Sequence, residues 1–141
     1  MSSQSRIERG IDALSSQDFM TVRRAQRYLV ENSEESLPIL LSRLRTPKRD
    51  QDSALIYYLV GEIDSDLYGR LLLQSAQTTG VDYGAISKDL NLDALPKLPS
   101  SVLDEIDSAF GRINLADLDQ QQQKCIEHVR TVLRTILTKK R

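Results

Sequence analysis

The chain has 141 residues, of which 40% are hydrophobic and 28% charged, so it is long enough to bury a core and too apolar for a disordered segment. No run of about 18 apolar residues occurs, and the first residues lack the apolar centre of a signal peptide. These features exclude a membrane span and predict a soluble, cytoplasmic protein. The single Cys125 excludes an internal disulfide.

The formal net charge of −1 conceals an uneven distribution of charge along the chain. Residues 23–49 carry seven bases and three acids, residues 81–119 three bases and eight acids, and residues 120–141 six bases and one acid. The net charges of these segments are therefore +4, −5 and +5, with histidine taken as neutral. Such a distribution either steers partners toward one face or is offset within the fold, and the sequence leaves both open.

Apolar residues at helical spacing predict five helices in the first part of the chain. The first covers residues 5–14, where Ile7, Ile11 and Leu14 share a face, and is interpreted as an N-terminal capping helix or half-repeat. Four further stripes follow: Phe19, Val22, Gln26 and Leu29; then Leu37, Leu40, Leu41 and Leu44; then Leu55, Leu59 and Ile63; then Leu67, Leu71 and Leu72.

Polar residues and prolines predict where these helices begin and end. Ser36 is a predicted N-cap, with Pro38 in the first turn, where its missing N–H does no harm. Thr46-Pro47 is predicted to end a helix, because the residue before a proline is disfavoured in the α region.

The triplet Tyr-Leu-Val occurs at residues 28–30 and again at residues 58–60. An overlay with an offset of thirty residues also places Leu37 on Leu67 and Leu41 on Leu71. A period near thirty that consists of paired helices is typical of an α-solenoid, in which neighbouring pairs stack because neither can bury its apolar face alone. We therefore predict that Leu29 and Leu59 are buried at equivalent places in two helical hairpins.

The residues of this repeat resemble a known family. The stretch "DFMTVRRAQRYLVEN" is similar to the first helix of a HEAT or HEAT-like repeat, with Asp18, Val22-Arg23, Ala25 and Leu29 at the expected places. The stretch "DSALIYYLVGEID" resembles the same helix of a following unit, although Asp52-Ser53 stands where Val-Arg is expected. The resemblance covers roughly residues 17–77 and implies a stack of helical hairpins. An unrelated helical bundle is the alternative.

The remainder of the chain predicts a connector and a C-terminal helical part. Residues 79–100 contain glycines and prolines and leave room for one short helix, "AISKDL". A capping box formed by Ser101 and Asp104 is predicted to open the next helix. A long amphipathic helix is predicted from about Leu115 onward. The predicted organisation is therefore 1–78 for the hairpins with their capping helix, 79–100 for the connector and 101–141 for the C-terminal segment, within one compact domain.

Few residues in the sequence are typical of catalysis or of metal binding. Cys125 and His128 are spaced i, i+3 on a predicted helix, but no oxyanion donor or orienting group accompanies them, so both are predicted to be structural. A Cys-His metal site needs further ligands that the chain lacks, and neither a Walker loop nor a GxGxxG motif occurs. No cofactor, metal or small-molecule substrate is predicted.

The arginines are the strongest functional candidates. A basic patch is predicted from six residues: Arg24, Arg27, Arg43, Arg45, Lys48 and Arg49. Arg23 belongs to the same helix but is left out of the patch, because in the alternative interpretation of these residues as a solvated helix flank it forms an ion pair between the two hairpins, as arginines of HEAT repeats do. Such a patch binds an acidic protein surface or phosphates, or it is a solvated helix flank.

The sequence predicts an all-α protein: a short α-solenoid of HEAT-like hairpins with a C-terminal amphipathic helix packed on it. Its predicted function is a non-enzymatic adaptor or scaffold that binds a protein partner with an acidic surface. Nucleic-acid binding through the patch is the alternative, but the near-neutral charge and the scarcity of aromatic residues disfavour it. An enzymatic role, implied by the similarity of some HEAT-like repeats to those of phycobilin lyases, has no supporting residue.

Overall fold

The computed structural model describes residues 3–45, 50–78, 81–88 and 90–140, and the side chains of residues 3, 4, 45 and 50–53 are not described. Eight α-helices and two short 3₁₀ turns, with no strand, form this part of the chain, which confirms the prediction of an all-helical protein. The α-helices are α1 (Ser3–Ala13), α2 (Phe19–Glu31), α3 (Ser33–Arg45), α4 (Asp50–Ile63), α5 (Ser65–Gln77), α6 (Tyr83–Lys88), α7 (Ser100–Gly111) and α8 (Gln120–Lys140). The 3₁₀ turns are Leu95–Lys97 and Leu115–Asp117.

The helices pack in an order that follows the chain. The N-terminal helix α1 lies against α2 and α3, and α4 packs on α2, α3, α5 and α6. The C-terminal helix α8 packs on α6 and α7, and α7 also covers α5. Buried apolar residues from Ile7 to Leu137 form one hydrophobic cluster, so the connector and the C-terminal helices share a core with the hairpins.

In each of the two helical pairs, a single residue connects the first helix to the second. Asn32 separates α2 from α3, and its side-chain amide donates to the carbonyl of Tyr28 at 2.8 Å. Asp64 separates α4 from α5, and its carboxylate accepts from the backbone N–H of Leu67 at 3.1 Å, which caps α5. Both pairs are therefore tight helical hairpins.

The burial pattern confirms part of the predicted repeat and corrects the rest. Leu29 and Leu59 are both fully buried, as the offset of thirty requires. In α3 and α5, the second helices of the two hairpins, the buried positions align with an offset of 32 residues instead. Ser36 then corresponds to Tyr68, Leu40 to Leu72, and Arg43 to Ser75. The predicted equivalence of Leu37 with Leu67 and of Leu41 with Leu71 is therefore wrong. The cause is that α4 continues two residues further beyond its Tyr-Leu-Val triplet than α2 does.

Some predicted helix starts are also wrong. The helix α3 begins at Ser33, so Ser36 lies inside it, where its buried hydroxyl donates to the carbonyl of Leu29 at 2.6 Å instead of capping. Pro38 is accordingly an interior residue of α3. At α7 the N-cap is Pro99, without a side-chain hydrogen bond, so the predicted capping box at Ser101 is absent.

The long C-terminal helix starts later than predicted. Residues 115–117 form a 3₁₀ turn, and the carboxylate of Asp119 accepts from the backbone N–H of Gln122 at 2.8 Å where α8 begins. The predicted stop at Thr46-Pro47 lies outside the described residues, although α3 ends at Arg45, directly before it. None of the described helices is long and apolar enough to cross a membrane.

Candidate functional site

Helix α2 presents an exposed apolar and basic face. Asp18 caps the helix: its carboxylate accepts from the hydroxyl of Thr21 and from the backbone N–H of Met20, and these hydrogen bonds lower the pKa of Asp18. The side chains that follow the cap point outward, with Phe19 67% and Met20 55% exposed. Phe19 is therefore not the core residue that its place in the apolar stripe predicts.

Three arginines continue this face along α2. Arg23, Arg24 and Arg27 are all exposed, and residues three and four apart share one side of a helix. The guanidinium carbon of Arg23 lies 5.5 Å from the centre of the Phe19 ring, within the range of a cation–π interaction. Among the described residues Arg23 forms no salt bridge, so the ion pair that the alternative interpretation places between the hairpins is absent. We call Phe19, Met20, Arg23, Arg24 and Arg27 the α2 surface.

A groove of about 350 Å³ adjoins the α2 surface and separates α2 from α4. Arg23, Arg27 and Glu31 line it from α2, and Tyr58 and Glu62 line it from α4. The groove therefore carries both signs of charge. A partner that fits it must match a carboxylate as well as a guanidinium group.

The α4 wall of this groove is held in place by Asn91, which is fully buried. The side-chain amide of Asn91 donates to the carbonyl of Tyr58 at 2.8 Å and to the carboxylate of Glu62 at 3.1 Å. Its side-chain oxygen accepts from the backbone N–H groups of Asp93 and Ala94. The carboxylate of Glu62 is thus fixed at the edge of the groove by a residue that lies 29 positions later in the chain.

The residues of the predicted basic patch do not all lie on one exposed surface. Arg24 and Arg27 are exposed on the α2 surface, and their role in binding stays a prediction. The guanidinium of Arg43 instead lies 3.2 Å from the carboxylate of Asp12 on α1, and only 10% of the Arg43 side chain is exposed. A charge that is buried to this degree requires a partner, so Arg43 holds α1 against α3 and is not part of an exposed patch. The side chain of Arg45, and Lys48 and Arg49 entirely, lie outside the described residues.

Cys125 and His128 have different environments on α8. Cys125 is buried in the core, as the apolar stripe predicts, whereas His128 is exposed beside a groove that runs along the helix. In the described part of the chain, no group of three or more His, Cys, Asp or Glu residues is arranged to hold a metal ion.

Several residues of the site were not identified by sequence reasoning. Phe19 was assigned to the apolar stripe by periodicity alone, and Met20, Glu62 and Asn91 were not predicted as site residues. One signal for Phe19 does exist in the sequence, because an aromatic residue directly after an N-cap with an arginine four residues later is placed to pair with it on the outer side of the first turn. No signal links Asn91 to α4, since their contact depends on the path of the connector.

No family model, no curated protein and no solved structure matches this chain. A function for the chain is therefore inferred from its own geometry.

Proposed function

We propose that the protein is a non-enzymatic interaction module that binds an acidic protein partner through the α2 surface. The observation that carries this proposal is the exposed Phe19 ring with Arg23 above it, beside the exposed Arg24 and Arg27. Aromatic residues and arginines are the residue types that contribute most to protein interfaces. An exposed ring held by a neighbouring guanidinium group is already partly ordered, which reduces the entropy lost on binding.

The proposal includes a HEAT-like stacking of the two hairpins. Support comes from Leu29 and Leu59, which are buried at matching positions, and from the packing of α4 on both α2 and α3. In an α-solenoid the first helices of successive pairs form a continuous outer surface, and under this proposal the groove between α2 and α4 belongs to such a surface. The buried positions of α3 and α5 are 32 residues apart, whereas Leu29 and Leu59 are 30 residues apart, and this difference is a departure from a regular repeat.

The mixed charge of the groove favours a protein partner over a nucleic acid. A phosphate backbone offers only negative charge, and the carboxylates of Glu31 and Glu62 would repel it. A protein surface can pair acids with Arg23 and Arg27 while offering hydrogen-bond donors to the two glutamates. The partner is therefore expected to carry mainly acidic groups with a few donors among them.

The test is a charge reversal of the two arginines in the proposed binding role. Wild-type protein and the variant Arg24→Glu with Arg27→Glu are immobilised and used for quantitative capture from a cell extract. Captured proteins are then purified and titrated by fluorescence anisotropy. We expect a specific partner to lose at least about tenfold in affinity, whereas the melting temperature changes little because exposed charges contribute little to stability.

The matched control is Arg70→Glu with Arg112→Glu, which makes the same change of charge at two exposed arginines on other elements. A partner that is lost equally from both double variants responds to net charge alone, and this result would contradict the proposal. Binding of oligonucleotides that falls steeply with added salt, and that is lost only in the α2 variant, would support the nucleic-acid alternative instead.

A further inference from the structure

A second groove, of about 530 Å³, runs along the outer side of α8. Its apolar lining comes from Val132 and Ile136 of α8 and from Leu92 and Pro96 of the connector. Leu92 is 61% exposed, so a large apolar side chain stands at the rim with most of its surface in water. Exposed apolar residues that gather around a groove mark an interaction site more often than single ones do.

The threonines of the groove add apolar surface rather than free donors. The hydroxyl of Thr131 donates to the carbonyl of Glu127 at 2.8 Å, and the hydroxyl of Thr135 donates to the carbonyl of Thr131 at 2.8 Å. Both hydroxyl protons are therefore satisfied within α8. An occupant of the groove needs an apolar face more than it needs hydrogen-bond acceptors.

The dimensions of the groove suit a helix. Its lining along α8 extends from His128 to Lys140, a distance of roughly 18 Å at 1.5 Å per residue, which is about three turns of helix. Thr131 and Thr135 are exposed along its length, so one side is open to solvent. Small-molecule sites enclose most of the ligand surface, whereas a groove that is open along one side accepts the apolar face of an amphipathic helix.

The charges at one end of the groove select an acidic occupant. Lys139 is exposed and has no ion-pair partner among the described residues, and the ammonium group of Lys140 is held at the rim by donation to the carbonyl of Leu98 at 2.8 Å. In contrast, Arg130 and Arg134, on the α7 side of α8, are both paired with Asp107. Of the cationic residues of α8 that line the groove, Lys139 and Lys140 both lie at this end.

The same charges disfavour a second copy of α8 as the occupant. The lining of the groove includes Lys139 and Lys140 but no Asp or Glu, so two copies of α8 that face each other through it bring cations together without a carboxylate to pair with them. A helix with carboxylates in its first turn avoids this repulsion. If it lies antiparallel to α8, its acidic first turn meets Lys139 and Lys140, and the carboxylates also interact favourably with their own helix dipole.

We propose that the α8 groove binds an amphipathic helix of a protein partner, antiparallel to α8, with apolar residues at i, i+3 or i+4 and i+7 and with Asp or Glu in its first turn. This site is separate from the α2 surface. The two surfaces can therefore be tested independently, and one can fail without the other.

A yeast-displayed library of helical peptides tests the proposal directly. Peptides of about 14 residues, four turns of helix, are randomised on one face and in the first turn, and are sorted for binding to the full-length wild-type protein. We expect the selected peptides to share the apolar spacing and to carry carboxylates in the first turn. Their affinity, measured by anisotropy, should fall at least about tenfold with Leu92→Glu and with Lys139→Glu.

Matched variants separate the groove from general charge effects. Lys124→Glu, at an exposed position of α8 outside the groove, should change the affinity less than about twofold. A peptide whose first-turn carboxylates are replaced by lysines should bind Lys139→Glu more tightly than it binds the wild type. The variant Arg24→Glu with Arg27→Glu should bind the selected peptides as the wild type does.

Four outcomes would overturn the proposal: a library that yields no binder, binders that lack first-turn acids, binders that Leu92→Glu does not weaken, or binders that Lys139→Glu does not weaken. Sedimentation velocity that shows a wild-type dimer dissociated by Leu92→Glu would assign the groove to a second copy. Binding of the protein to vesicles of phosphatidylcholine and phosphatidylserine, lost in Leu92→Glu, would assign it to a membrane surface.

Discussion

Asn91 joins three separate parts of the chain through one buried residue. Its side chain bonds to Tyr58 and Glu62 of α4 and to the backbone of its own loop, and its backbone N–H donates to the hydroxyl of Tyr68 on α5 at 3.1 Å. A buried amide is costly unless its hydrogen bonds are formed, and the bonds to both its oxygen and its nitrogen are formed here. The connector is therefore fixed to the second hairpin by specific bonds rather than by apolar contact alone.

Gly61 makes room for this residue. A Cβ atom at position 61 would lie 2.7 Å from the side-chain nitrogen of Asn91, which cannot move without breaking its bonds. We predict that Gly61→Ala lowers the free energy of unfolding by about 1–3 kcal/mol, as measured by urea denaturation. Gly84→Ala is the control, because a Cβ there would lie 3.1 Å from the carboxylate of Asp82, whose hydrogen bonds to Gly84 and Ala85 can be replaced by water at this exposed position, and its effect should stay within about 0.5 kcal/mol. Equal effects of the two substitutions would contradict the assigned role of Gly61.

Tyr68 makes the free energy of unfolding depend on pH in the alkaline range. Burial raises the pKa of Tyr68 from 10.0 to about 12, although the hydrogen bond from Asn91 acts in the opposite direction. Because the folded-state pKa lies above the unfolded value, the folded protein holds the phenol proton more tightly. This contribution is fully present below about pH 10 and is lost as the pH rises through 12.

We predict that the free energy of unfolding of the wild type falls between about pH 10 and 12, and that Tyr68→Phe reduces this dependence, as measured by urea denaturation at several pH values. The control is Leu59→Ala, which is destabilised but retains the phenol of Tyr68. Its free energy of unfolding should depend on pH as that of the wild type does. A Tyr68→Phe variant whose stability falls as steeply as that of the wild type would show that Tyr68 does not cause the dependence.

At the scale of elements, the first helices of the two hairpins are equivalent at their centres. Leu29 and Leu59 are both buried against neighbouring helices. We predict that Leu29→Ala and Leu59→Ala each lower the free energy of unfolding by about 2–5 kcal/mol in denaturant melts. Leu92→Ala, at an exposed leucine, should change it by less than about 0.5 kcal/mol. If neither Leu29→Ala nor Leu59→Ala lowered the free energy of unfolding, the prediction that both positions stabilise the core would be wrong.

The positions of the helices could be predicted from the sequence, but their contacts could not. Periodicity located the helices because burial on one face repeats every three to four residues, and this is a local property of the chain. The overlay failed after residue 32 because α4 continues two residues further beyond its Tyr-Leu-Val triplet than α2 does, whereas the turns at Asn32 and Asp64 have the same length. The exposure of Phe19 was not predicted, since periodicity gives the angle of a side chain but not which neighbours cover it.

The candidate site was predictable in part for the same reason. The neighbouring Arg24 and Arg27 were correctly expected to be exposed on α2, because both lie outside the apolar stripe of one helix. Arg43 was misassigned because its partner Asp12 is 31 residues away, on a helix whose packing the sequence does not specify. Glu62 enters the groove for the equally non-local reason that Asn91 holds it there.

At the scale of the whole molecule, the hairpins and the C-terminal helices share one core. Leu103 of α7 is fully buried in the same cluster as Leu29 of α2 and Leu137 of α8. We predict that Leu103→Ala lowers the protection of α4 and α5 amides by the same free energy as that of α8 amides in native-state hydrogen exchange. Protection that is lost from α7 and α8 alone would show that the C-terminal segment unfolds as a separate unit.

The C-terminal end of α4 also bears on whether a further hairpin could pack beyond the second one. A stack of similar hairpins can accept a further hairpin, or another molecule, at any end whose apolar face is bare. Here α1 closes one end by packing on α2 and α3. At the other end Gly61 and Glu62 receive Asn91, while α6 and α7 cover α4 and α5. The faces of the two hairpins that α1, α6 and α7 cover are therefore buried within one molecule and are not available to a further hairpin or to a second copy.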